Sequence, residues 1–482
     1  MKTACFTSLL IILLLVPLRQ YSQSIISIGD NRELFLDHYL IEKMDNSELI
    51  LHHPYCEGPV LYFDQPWEGP FSAYCTVIKD EGLYRLYYRG VREAGKDGNK
   101  MEVTCYAESK DGTNWKKPDL GIFEVHGTSN NNVIMANAAP VTHNFSPFLD
   151  KNPYCRPDEK YKALGGTKSS GLIAFTSPDG IHWKKIREEA VFTDGLFDSQ
   201  NVAFWSDSEK KYLCYFRTWT GDGYSGFRSV GRTTSDDFIN WTAKEQMNFG
   251  DTPLEHLYTQ QTSPYYRAPQ IYVAIGARFM PDRQVITEEE AKKINVNPNY
   301  FKDCSDAVLM TSRGGNNYDR TFMESYVRPG IGMQNWVSRS NYPALNVVQT
   351  SDTEMSLYVN ENYAQPTAHI KRYSMRIDGF ASLYAGYDGG ELITKPFIFS
   401  GKELEINYST SAAGEIKIEI QDEKGNPLPG YTLEESQIII GNEIKRVVRW
   451  NEKAGLKQLN SKPVKLRIFL RDANLYSFKF NK

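Results

Sequence analysis

The chain repeats one short pattern, Ser-x-Asp-Gly-x-x-Trp, at widely spaced positions. It is clearest at 177–183 (SPDGIHW) and 109–115 (SKDGTNW), with weaker copies at 235–241 and 312–318 and a faint fifth copy at 374–380. The serines that open the copies are about 58 to 77 residues apart, a period longer than that of small solenoid repeats. A period of this length indicates that each copy belongs to a whole sheet.

The segments before each copy also resemble one another. Residues 73–91 (AYCTVIKDEGLYRLYYRGV) and 201–219 (NVAFWSDSEKKYLCYFRTW) both read as two alternating strands joined by a polar turn. With the strand before the Asp-Gly turn and the Trp strand after it, each repeat is one four-stranded antiparallel sheet. Four to eight such sheets around an axis form a β-propeller.

The count of repeats predicts five blades. Their expected ranges are 60–120, 135–190, 196–250, 255–325 and 335–385, and residues 31–53 are expected to close the ring or to pack on its edge. The repeated Asp is expected to accept backbone N–H groups, while the Gly supplies a positive φ. We expect the aromatic residue that follows to wedge between neighbouring sheets, so the motif is architectural and not catalytic.

Beyond about Tyr387 the aromatic repeats stop and six alternating segments follow. They are ELEINYST, GEIKIEIQD, SQIIIGN, IKRVVRW, VKLRIFLRD and LYSFKF. Strands of this number and spacing predict a β-sandwich. The predicted fold is therefore all-β: a five-bladed β-propeller over 25–386 and a C-terminal β-sandwich over 387–482. One short helix is expected at 286–294, where Thr287 and Glu290 form a capping box.

The first 24 residues are typical of a secretory signal. Lys2 precedes a short apolar run at 9–16, which Pro17 and a polar stretch follow. A signal peptide over 1–24 predicts a secreted or periplasmic protein. The formal net charge of −4 comes without a basic patch, and no later apolar stretch is long enough to cross a bilayer. We therefore expect neither nucleic acid nor membrane insertion.

The six cysteines after this segment stand singly. They are Cys56, Cys75, Cys105, Cys155, Cys214 and Cys304. No C-x-x-C pair is present, so zinc-ribbon spacing is absent. Several lie in apolar strands and are expected to be buried free thiols, with disulfides as the alternative in an oxidising compartment.

The repeat resembles the Ser-x-Asp-Leu-x-x-Trp blade motif of five-bladed propeller glycoside hydrolases. These are the invertase-like (family 32) and the arabinanase/xylosidase-like (family 43) glycosidases. A C-terminal sandwich also follows the propeller in the invertase-like group. The family's Trp-Met-Asn-Asp-Pro-Asn-Gly, Arg-Asp-Pro and Glu-Cys motifs have no clear counterparts here. The chain thus resembles a divergent branch, and no catalytic residue is transferred by motif.

The resemblance implies a secreted glycoside hydrolase that acts on a plant or algal polysaccharide or oligosaccharide. The alternative is a non-catalytic propeller that binds carbohydrate. A carbohydrate is the expected partner in both cases, and the oligomeric state stays open. The sequence contains no His/Glu metal motif, so no metal ligand is predicted, and no cofactor is expected. A structural calcium or another ion in the channel stays possible.

Catalytic candidates are sought among the polar residues that open each blade, because the first strands converge on the channel. Glycoside hydrolysis requires one protonated and one ionised carboxyl group. The candidates are Glu68, Asp198 and Glu255. Asp198 or Glu68 is assigned as base or nucleophile, and Glu255 or Glu68 as acid. A solvated turn or a salt bridge to a nearby Arg is the alternative for each.

Further residues at the blade openings are candidates for substrate binding. Trp67 could stack on a sugar face, and side chains that could donate to hydroxyls or to a carboxylate are His143, Asn201, His256, Arg278, Arg339 and Asn341. A packed structural histidine is the alternative for each His. An anionic sugar would suit Arg278 and Arg339, with a buried ion pair as the alternative.

Overall fold

The computed structural model describes residues 25–451 and 455–482, and these are almost entirely β-structure. The predicted signal peptide, residues 1–24, lies outside the described residues. The strands in chain order are β1 (Ile26–Gly29), β2 (Arg32–Leu34), β3 (Ile41–Asp45), β4 (Glu48–Leu51), β5 (Tyr55–Tyr62), β6 (Ala73–Asp80), β7 (Leu83–Gly90), β8 (Val103–Ser109), β9 (Val133–Met135), β10 (Ser146–Leu149), β11 (Tyr161–Gly165), β12 (Ile173–Ser177), β13 (Lys184–Lys185), β14 (Val202–Ser206), β15 (Lys211–Trp219), β16 (Arg228–Ser235), β17 (Glu245–Gln246), β18 (Leu257–Thr259), β19 (Thr262–Tyr265), β20 (Ala268–Met280), β21 (Cys304–Ser312), β22 (Ser325–Val327), β23 (Tyr342–Pro343), β24 (Val348–Gln349), β25 (Glu354–Glu361), β26 (His369–Arg376), β27 (Ala381–Ala385), β28 (Gly390–Thr394), β29 (Phe397–Phe399), β30 (Glu403–Asp422), β31 (Asn442–Val447) and β32 (Val464–Asn481).

One α-helix, α1 (Glu288–Lys293), interrupts blade four, and it begins at the predicted capping box. Thr287 accepts the backbone N–H of Glu290, whose carboxylate accepts the backbone N–H of Thr287. Short 3-10 helices are Val141–His143, Pro157–Glu159, Met333–Trp336 and Lys457–Leu459.

Five antiparallel sheets surround a central channel and confirm the predicted five-bladed propeller. From the axis outwards the blades are β6-β7-β8-β9, β10-β11-β12-β13, β14-β15-β16-β17, β18/β19-β20-β21-β22 and β23/β24-β25-β26-β5. The first strands contact one another around the axis: β6 with β10, β10 with β14, β14 with β19, and β24 with β6.

The ring is closed by β5, which forms the outermost strand of blade five. Ile370 of β26 lies opposite Leu61, and both are buried in a cluster shared with blade one. Residues 31–53 do not close the ring, but they do pack on the propeller as the alternative expected: Leu34 and Leu36 are buried with residues of blades four and five, and Arg313 pairs with Glu33 and Asp37. Strands β2, β3 and β4 of this segment also pair with β32, β28 and β27 of the C-terminal region, and Phe35 and Leu40 are buried in its core.

The C-terminal region is a β-sandwich built on two very long strands, β30 and β32. They pair along two stretches, with a change of register between Thr410 and Glu415. The segments predicted as ELEINYST and GEIKIEIQD are therefore one strand, as are VKLRIFLRD and LYSFKF. The segment predicted as the strand SQIIIGN forms isolated bridges, such as Ile416 to Ile439, in place of a regular strand. Trp450 is fully buried in the core and donates its indole N–H to the carbonyl of Ile418 at 2.7 Å.

The repeated motif forms a hydrogen-bonded turn, and its aromatic residue packs against the neighbouring blade. Asp179 accepts the backbone N–H groups of Ile181 and His182 at 2.9 and 2.8 Å. Despite partial burial, these bonds and that to the His182 side chain lower the pKa of Asp179 to about 2. Trp183 packs edge-on against Tyr87 of blade one, with ring centroids 6.5 Å apart. The predicted architectural role of the motif agrees with this geometry.

Gly180 in this turn has no room for a side chain. Its φ is +77°, and a Cβ would lie 2.5 Å from the hydroxyl of the buried Tyr87. Gly180→Ala should therefore cost about 1–2 kcal/mol for the left-handed backbone and about 1–3 kcal/mol more for the clash. Urea unfolding would measure the sum.

Gly127 provides a matched control for this prediction. It has the same φ of +77° but nothing within 4 Å of its Cβ position. Gly127→Ala should lose only the backbone contribution, about 1–2 kcal/mol. Equal losses of unfolding free energy in the two variants would show that the Tyr87 side chain can move away from the new Cβ without loss of stability, contrary to the packing described.

The six cysteines of the described residues are free thiols. Four are buried (Cys75, Cys105, Cys214 and Cys304), in agreement with the expectation, while Cys155 is partly buried and Cys56 is exposed. Burial raises the pKa of the four buried thiols, which suits a packing role. In the part of the chain that the structure describes, no helix has the length and apolar character needed to span a bilayer.

Candidate functional site

One end of the channel collects an unusual number of arginine and tyrosine side chains. We call it the channel mouth: the end at which the first strand of each blade begins and the second strand ends. Its side chains, here named the Arg–Tyr cluster, are Arg89, Arg217, Arg228, Arg339, Tyr74, Tyr258, Tyr300, Tyr342 and Tyr363. Members of every blade except the second contribute, so the cluster exists only in the closed ring.

Tyr258 lies at the centre of the cluster and is almost completely buried, with 7% of its surface exposed. Three guanidinium groups surround its ring, and their carbon atoms lie 4.5 Å (Arg217), 5.2 Å (Arg339) and 5.5 Å (Arg228) from the ring centroid. Cations at such distances interact favourably with an aromatic ring. They also change how easily the phenol ionises.

The two central tyrosines differ in acidity. Burial alone would raise the pKa of Tyr258, but the positive charges of Arg339 and Arg217 outweigh it and lower that pKa below its ordinary value. Burial raises the pKa of Tyr74 well above the ordinary value, although Arg89 lies 4.7 Å from its ring. The channel mouth therefore holds one tyrosine that is more acidic than usual and one that is less acidic.

Asp198 is the catalytic candidate that the structure places at the cluster. Its Oδ1 accepts the Nε–H of Arg217 at 2.9 Å, and a second guanidinium nitrogen pairs with Oδ2. Its backbone carbonyl accepts the Tyr74 hydroxyl at 3.4 Å. The side chain is 20% exposed, so a ligand in the channel mouth can reach it.

A second carboxyl group, Asp303, also lies at the channel mouth, just before the third strand of blade four. Burial raises the pKa of Asp303, while a hydrogen bond from Ser338 and the charge of Arg339 oppose the shift. Its Oδ1 is buried without a hydrogen-bond partner. A carboxyl group in this environment retains its proton to higher pH, which is a property of general acids.

Glu68 lies away from the cluster in a buried ion pair. Its Oε1 accepts the Tyr88 hydroxyl and its Oε2 accepts Lys117 Nζ, each at 2.5 Å. The carboxylate side chain is fully buried. These contacts are those of a structural ion pair, close to the alternative stated from the sequence, with a lysine in place of the expected arginine.

Glu255 is held between two arginines. Its Oε1 pairs with Arg278 at 2.8 Å and its Oε2 with Arg320 at 2.7 Å. Arg278 also makes a two-bond contact with Asp306, at 2.8 and 2.6 Å. The ion-pair alternative for Arg278 therefore describes this structure. Among the described residues, no side chain bonds to more than one of Glu68, Asp198 and Glu255.

Three of the predicted substrate-binding residues are buried structural groups. Trp67 is 5% exposed and donates its indole N–H to Asn132 at 2.8 Å, so it offers no free face to a sugar. Asn201 donates to the carbonyl of Ser199, and Asn341 to the carbonyl of Ser305, each at 3.0 Å. Both amides hold loops that shape the channel mouth.

Besides Arg278, which the ion pair with Glu255 engages, three predicted binding residues lie at the cluster or on its rim. Arg339 is a member of the cluster and also lies 4.9 Å from the Tyr300 ring. His143 packs against Tyr74 with ring centroids 5.5 Å apart, and its Nδ1 lies 3.0 Å from Glu102. His256 accepts the backbone N–H of Arg228 at 3.1 Å and contacts the rings of Trp219 and Phe227.

A buried polar network forms the floor of the channel mouth. Gln200 donates to the hydroxyl of Thr76 at 2.9 Å, and Gln261 donates to Gln200 at 2.7 Å and to the carbonyl of Pro343 at 2.7 Å. These contacts join blades one, three, four and five across the axis. The opposite end of the channel opens into a separate cavity of about 600 Å³ with largely apolar walls, among them Phe148, Trp205 and Tyr266.

A separate groove lies beside blade four. It has a volume of about 570 Å³, and its lining includes Arg283, Arg328 and Trp336 together with the Glu255–Arg278–Asp306 group. Residues 304–306, which directly follow Asp303, form part of its wall.

The sequence did not identify Tyr258, Arg217 or Arg228, although a signal was present. Arg89 and Arg217 occupy equivalent positions near the end of the second strand of their blades, in the segments YYRG and YFRT. Arg278 is placed similarly in β20. An alignment of the repeats against one another would have shown that charged residues recur at the rim of otherwise apolar strands.

No cluster of three or more His, Cys, Asp or Glu side chains that could hold a metal ion occurs among residues 25–451 and 455–482. The polar groups of the channel mouth are mainly donors, and guanidinium groups repel cations. The donor set thus suits an oxyanion.

No protein-family model matches the chain. Two uncharacterized proteins of Mycobacterium tuberculosis align with part of it: one from strain CDC 1551 / Oshkosh is 27% identical over 175 residues, and one from strain ATCC 25618 / H37Rv is 25% identical over 181 residues. Each alignment covers 34% of this chain and 51% of the relative. The chain therefore spans about half the length of the curated relatives it matches.

Several solved structures are similar in fold. A glycoside hydrolase superposes with a TM-score of 0.46 at 9% identity, covering 67% of this chain and 92% of that one. A β-1,2-mannobiose phosphorylase from Listeria innocua gives 0.42 at 10%, covering 68% and 97%. A fructofuranosidase from Schwanniomyces occidentalis gives 0.37 at 11%, covering 89% and 98%. These neighbours are glycan-acting enzymes. At such identities the likeness concerns the fold alone.

The unusual acidity of Tyr258 leads to a measurable prediction. Tyrosine titration followed by near-ultraviolet absorbance should show one group that ionises below the ordinary range in the wild type, and Tyr258→Phe should remove it. Because the pKa is lower in the folded than in the unfolded protein, stability from this group grows as pH rises through the folded pKa and is complete above about 10. It is lost as pH falls through the folded pKa.

Tyr215→Phe is the control for this titration. Tyr215 is equally buried, its hydroxyl has no hydrogen-bond partner, and burial raises its pKa well above the ordinary value. Its removal should leave the early transition unchanged. An early transition that persists in Tyr258→Phe would show that the arginines do not overcome burial at this site.

Proposed function

We propose that the protein is a secreted or periplasmic glycoside hydrolase that acts at the channel mouth on a plant or algal polysaccharide or oligosaccharide. The observation that supports this proposal is the presence of two carboxyl groups in contrasting environments at the cluster. Asp198 is paired with Arg217, whereas burial raises the pKa of Asp303. Hydrolysis of a glycosidic bond needs one ionised and one protonated carboxyl group.

In this proposal Asp303 is the general acid and donates its proton to the glycosidic oxygen as the bond to the anomeric carbon breaks. Asp198 acts as base or nucleophile. As a base it takes a proton from the water whose oxygen attacks that carbon. Activity should fall as pH rises through the pKa of Asp303, since its carboxyl group then has no proton to donate. The protein side chains alone supply these steps.

Glu68 and Glu255 remain the alternatives proposed from the sequence. Both oxygens of each carboxylate already accept bonds from charged or hydroxyl donors. To act in catalysis, either group would have to release a strong charged or hydroxyl partner. Asp303 Oδ1 has no such partner, so the contacts favour Asp303 over either group as the acid. Asp198 is paired with Arg217 on both oxygens, and it is preferred as base or nucleophile because it lies at the cluster and is 20% exposed.

The second candidate function is a non-catalytic propeller that binds carbohydrate. It is favoured by one specific observation: all three carboxylates expected from the sequence are engaged in ion pairs or hydrogen bonds on both oxygens. Such a protein would bind a glycan at the cluster without changing it.

The test is the release of reducing ends from a panel of plant and algal polysaccharides and aryl glycosides by the purified protein. We expect turnover of at least one substrate, with a loss of about 100-fold or more in Asp303→Asn, as is typical when general acid catalysis is removed. Retained glycan binding without turnover of any substrate would support the binding function and contradict hydrolysis. Turnover that Asp303→Asn leaves intact but Glu255→Gln abolishes would move the acid to Glu255.

A further inference from the structure

The positive charge of the Arg–Tyr cluster exceeds its negative charge. Of its four arginines, only Arg217 forms an ion pair with a carboxylate. Within the described parts of the chain, no carboxylate lies within 4 Å of the guanidinium groups of Arg89, Arg228 or Arg339. Burial also raises the pKa of Asp303, which reduces the negative charge that this group contributes.

Several donors of the cluster also have no acceptor. Buried nitrogen atoms without a hydrogen-bond partner are Arg217 Nη1, Arg228 Nε and Arg339 Nε, and the hydroxyl of Tyr342 is in the same state. Arg217 and Tyr342 are only 5% and 6% exposed. Leaving charged donors buried and unpaired is costly, and proteins usually pair them. These donors come from blades three and five, and the guanidinium groups of Arg217, Arg228 and Arg339 lie around the same Tyr258 ring, so they are in position to share one oxyanion.

We propose that the channel mouth binds the acidic group of an anionic sugar, a carboxylate or a sulfate ester, with Arg228 and Arg339 as its principal ligands. A guanidinium group offers paired N–H donors that match the oxygens of either group. Arg217 is oriented by Asp198 and would contribute its free Nη1. This inference deepens the proposed function by naming the substrate class, and it rests on that function only for the cleavage step.

The groove beside blade four favours a polymer that bears more than one acidic group. Arg283 and Arg328 line this groove and form no ion pair with any described residue, while Trp336 provides an indole face beside them. Indole rings bury a large apolar area at low conformational cost, which suits one face of a sugar ring. An acidic oligosaccharide would thus meet guanidinium groups beyond the channel mouth as well.

Tyr258 should compete with the bound anion, because its ionised form places a negative charge among the same arginines. The charged or titratable groups that face it are Arg217, Arg228, Arg339, Asp198, Tyr74 and Tyr342. Anion affinity should therefore fall as pH rises through the ionisation of Tyr258. In Tyr258→Phe this part of the pH dependence should disappear.

Isothermal titration of the full-length protein tests the inference directly. The probes are sodium galacturonate, sodium glucuronate, galactose 6-sulfate and, for comparison, neutral galactose. We expect at least one anionic sugar to bind more tightly than galactose, and the difference between the uronates and the sulfate identifies the acidic group. Arg228→Gln and Arg339→Gln should each weaken that binding by about 10- to 100-fold, as expected for one charge-assisted contact.

Arg156→Gln is the control, because Arg156 is exposed on blade two and pairs only with acidic neighbours there. It should bind like the wild type. If either cluster variant fails to fold, Arg228→Lys and Arg339→Lys retain the charge but not the paired donors, and should weaken binding less. Equal affinity for galactose and for all three anions, or anion binding unchanged in both cluster variants, would overturn the inference.

The same experiments separate this inference from the proposed function. Tight binding of an anionic sugar without hydrolysis of any polymer would support the inference and contradict the hydrolase. Hydrolysis of a neutral glycan at a rate that Arg228→Gln leaves unchanged would support the hydrolase and contradict the inference.

Discussion

Asp198→Asn should lower kcat/KM for glycan hydrolysis by about 100-fold or more, because an amide can neither accept the proton of the attacking water nor act as an anionic nucleophile. The substitution preserves the size of the side chain and leaves one oxygen for the Nε–H of Arg217, which lies 2.9 Å from Oδ1. Reducing-end release at substrate concentrations well below KM would measure the effect.

Glu209→Gln controls for the loss of an ion pair in the same blade. Glu209 pairs with Arg232, which like Arg217 is 5% exposed, and the two carboxylates are 23% and 20% exposed. The Glu209 pair lies away from the channel mouth, so its variant should share any loss of stability but retain activity. Equal losses of activity in both variants would attribute the effect of Asp198→Asn to folding and contradict a catalytic role.

Lys117→Met should destabilise the fold by about 3–5 kcal/mol, because it leaves the fully buried carboxylate of Glu68 without its counter-ion. Lys117 Nζ also donates to the carbonyl of Tyr62 at 2.6 Å and to Asp64 at 2.9 Å, so one ammonium group joins β5 to blade one. The expected effect is large because β5 closes the propeller. Unfolding in urea, followed by tryptophan fluorescence, gives the free energy.

The double variant Glu68→Gln/Lys117→Met distinguishes a buried charge from lost packing. Removing both charges avoids the uncompensated carboxylate, so the double variant should be clearly more stable than Lys117→Met alone. If the double variant is as unstable as the sum of the single variants, the two residues act independently and the description of Glu68 as an ion-pair partner is wrong.

The features that the sequence predicted best are those that local interactions determine. The turns at Asp111, Asp179 and Asp237 each depend on hydrogen bonds to groups two or three residues ahead. The capping box of α1 is similarly local. Five copies of one local pattern therefore led directly to five blades and to the correct fold class.

Ring closure depends on partners distant in the chain, and the sequence did not reveal it. Strand β5 pairs with β26, and no turn or spacing near Tyr55–Tyr62 specifies that partner. Similarly, the segments on either side of Ser411 alternate like separate strands, although β30 bends without ending there. Hydrophobic alternation predicts that a strand exists but not which strand lies beside it.

The candidate site was predicted only in part for the same reason. Asp198 and Arg339 were identified because they stand among polar residues where a blade opens. Tyr258 and Arg228 were not, since a tyrosine or an arginine at a strand end is usually a packing or ion-pairing residue. These two residues meet at the channel mouth only because different blades converge there. The repeat period predicts the number of blades but not which side chains meet at the channel mouth.

The most direct test of the account is a crystal structure of Asp198→Asn soaked with an acidic oligosaccharide, such as a trimer of galacturonate. The account predicts density for a sugar ring beside Tyr258, with its acidic group in contact with Arg228 and Arg339 and the chain continuing towards Trp336. Sugar density confined to the cavity of about 600 Å³ at the opposite end of the channel, or to the β-sandwich, would contradict it.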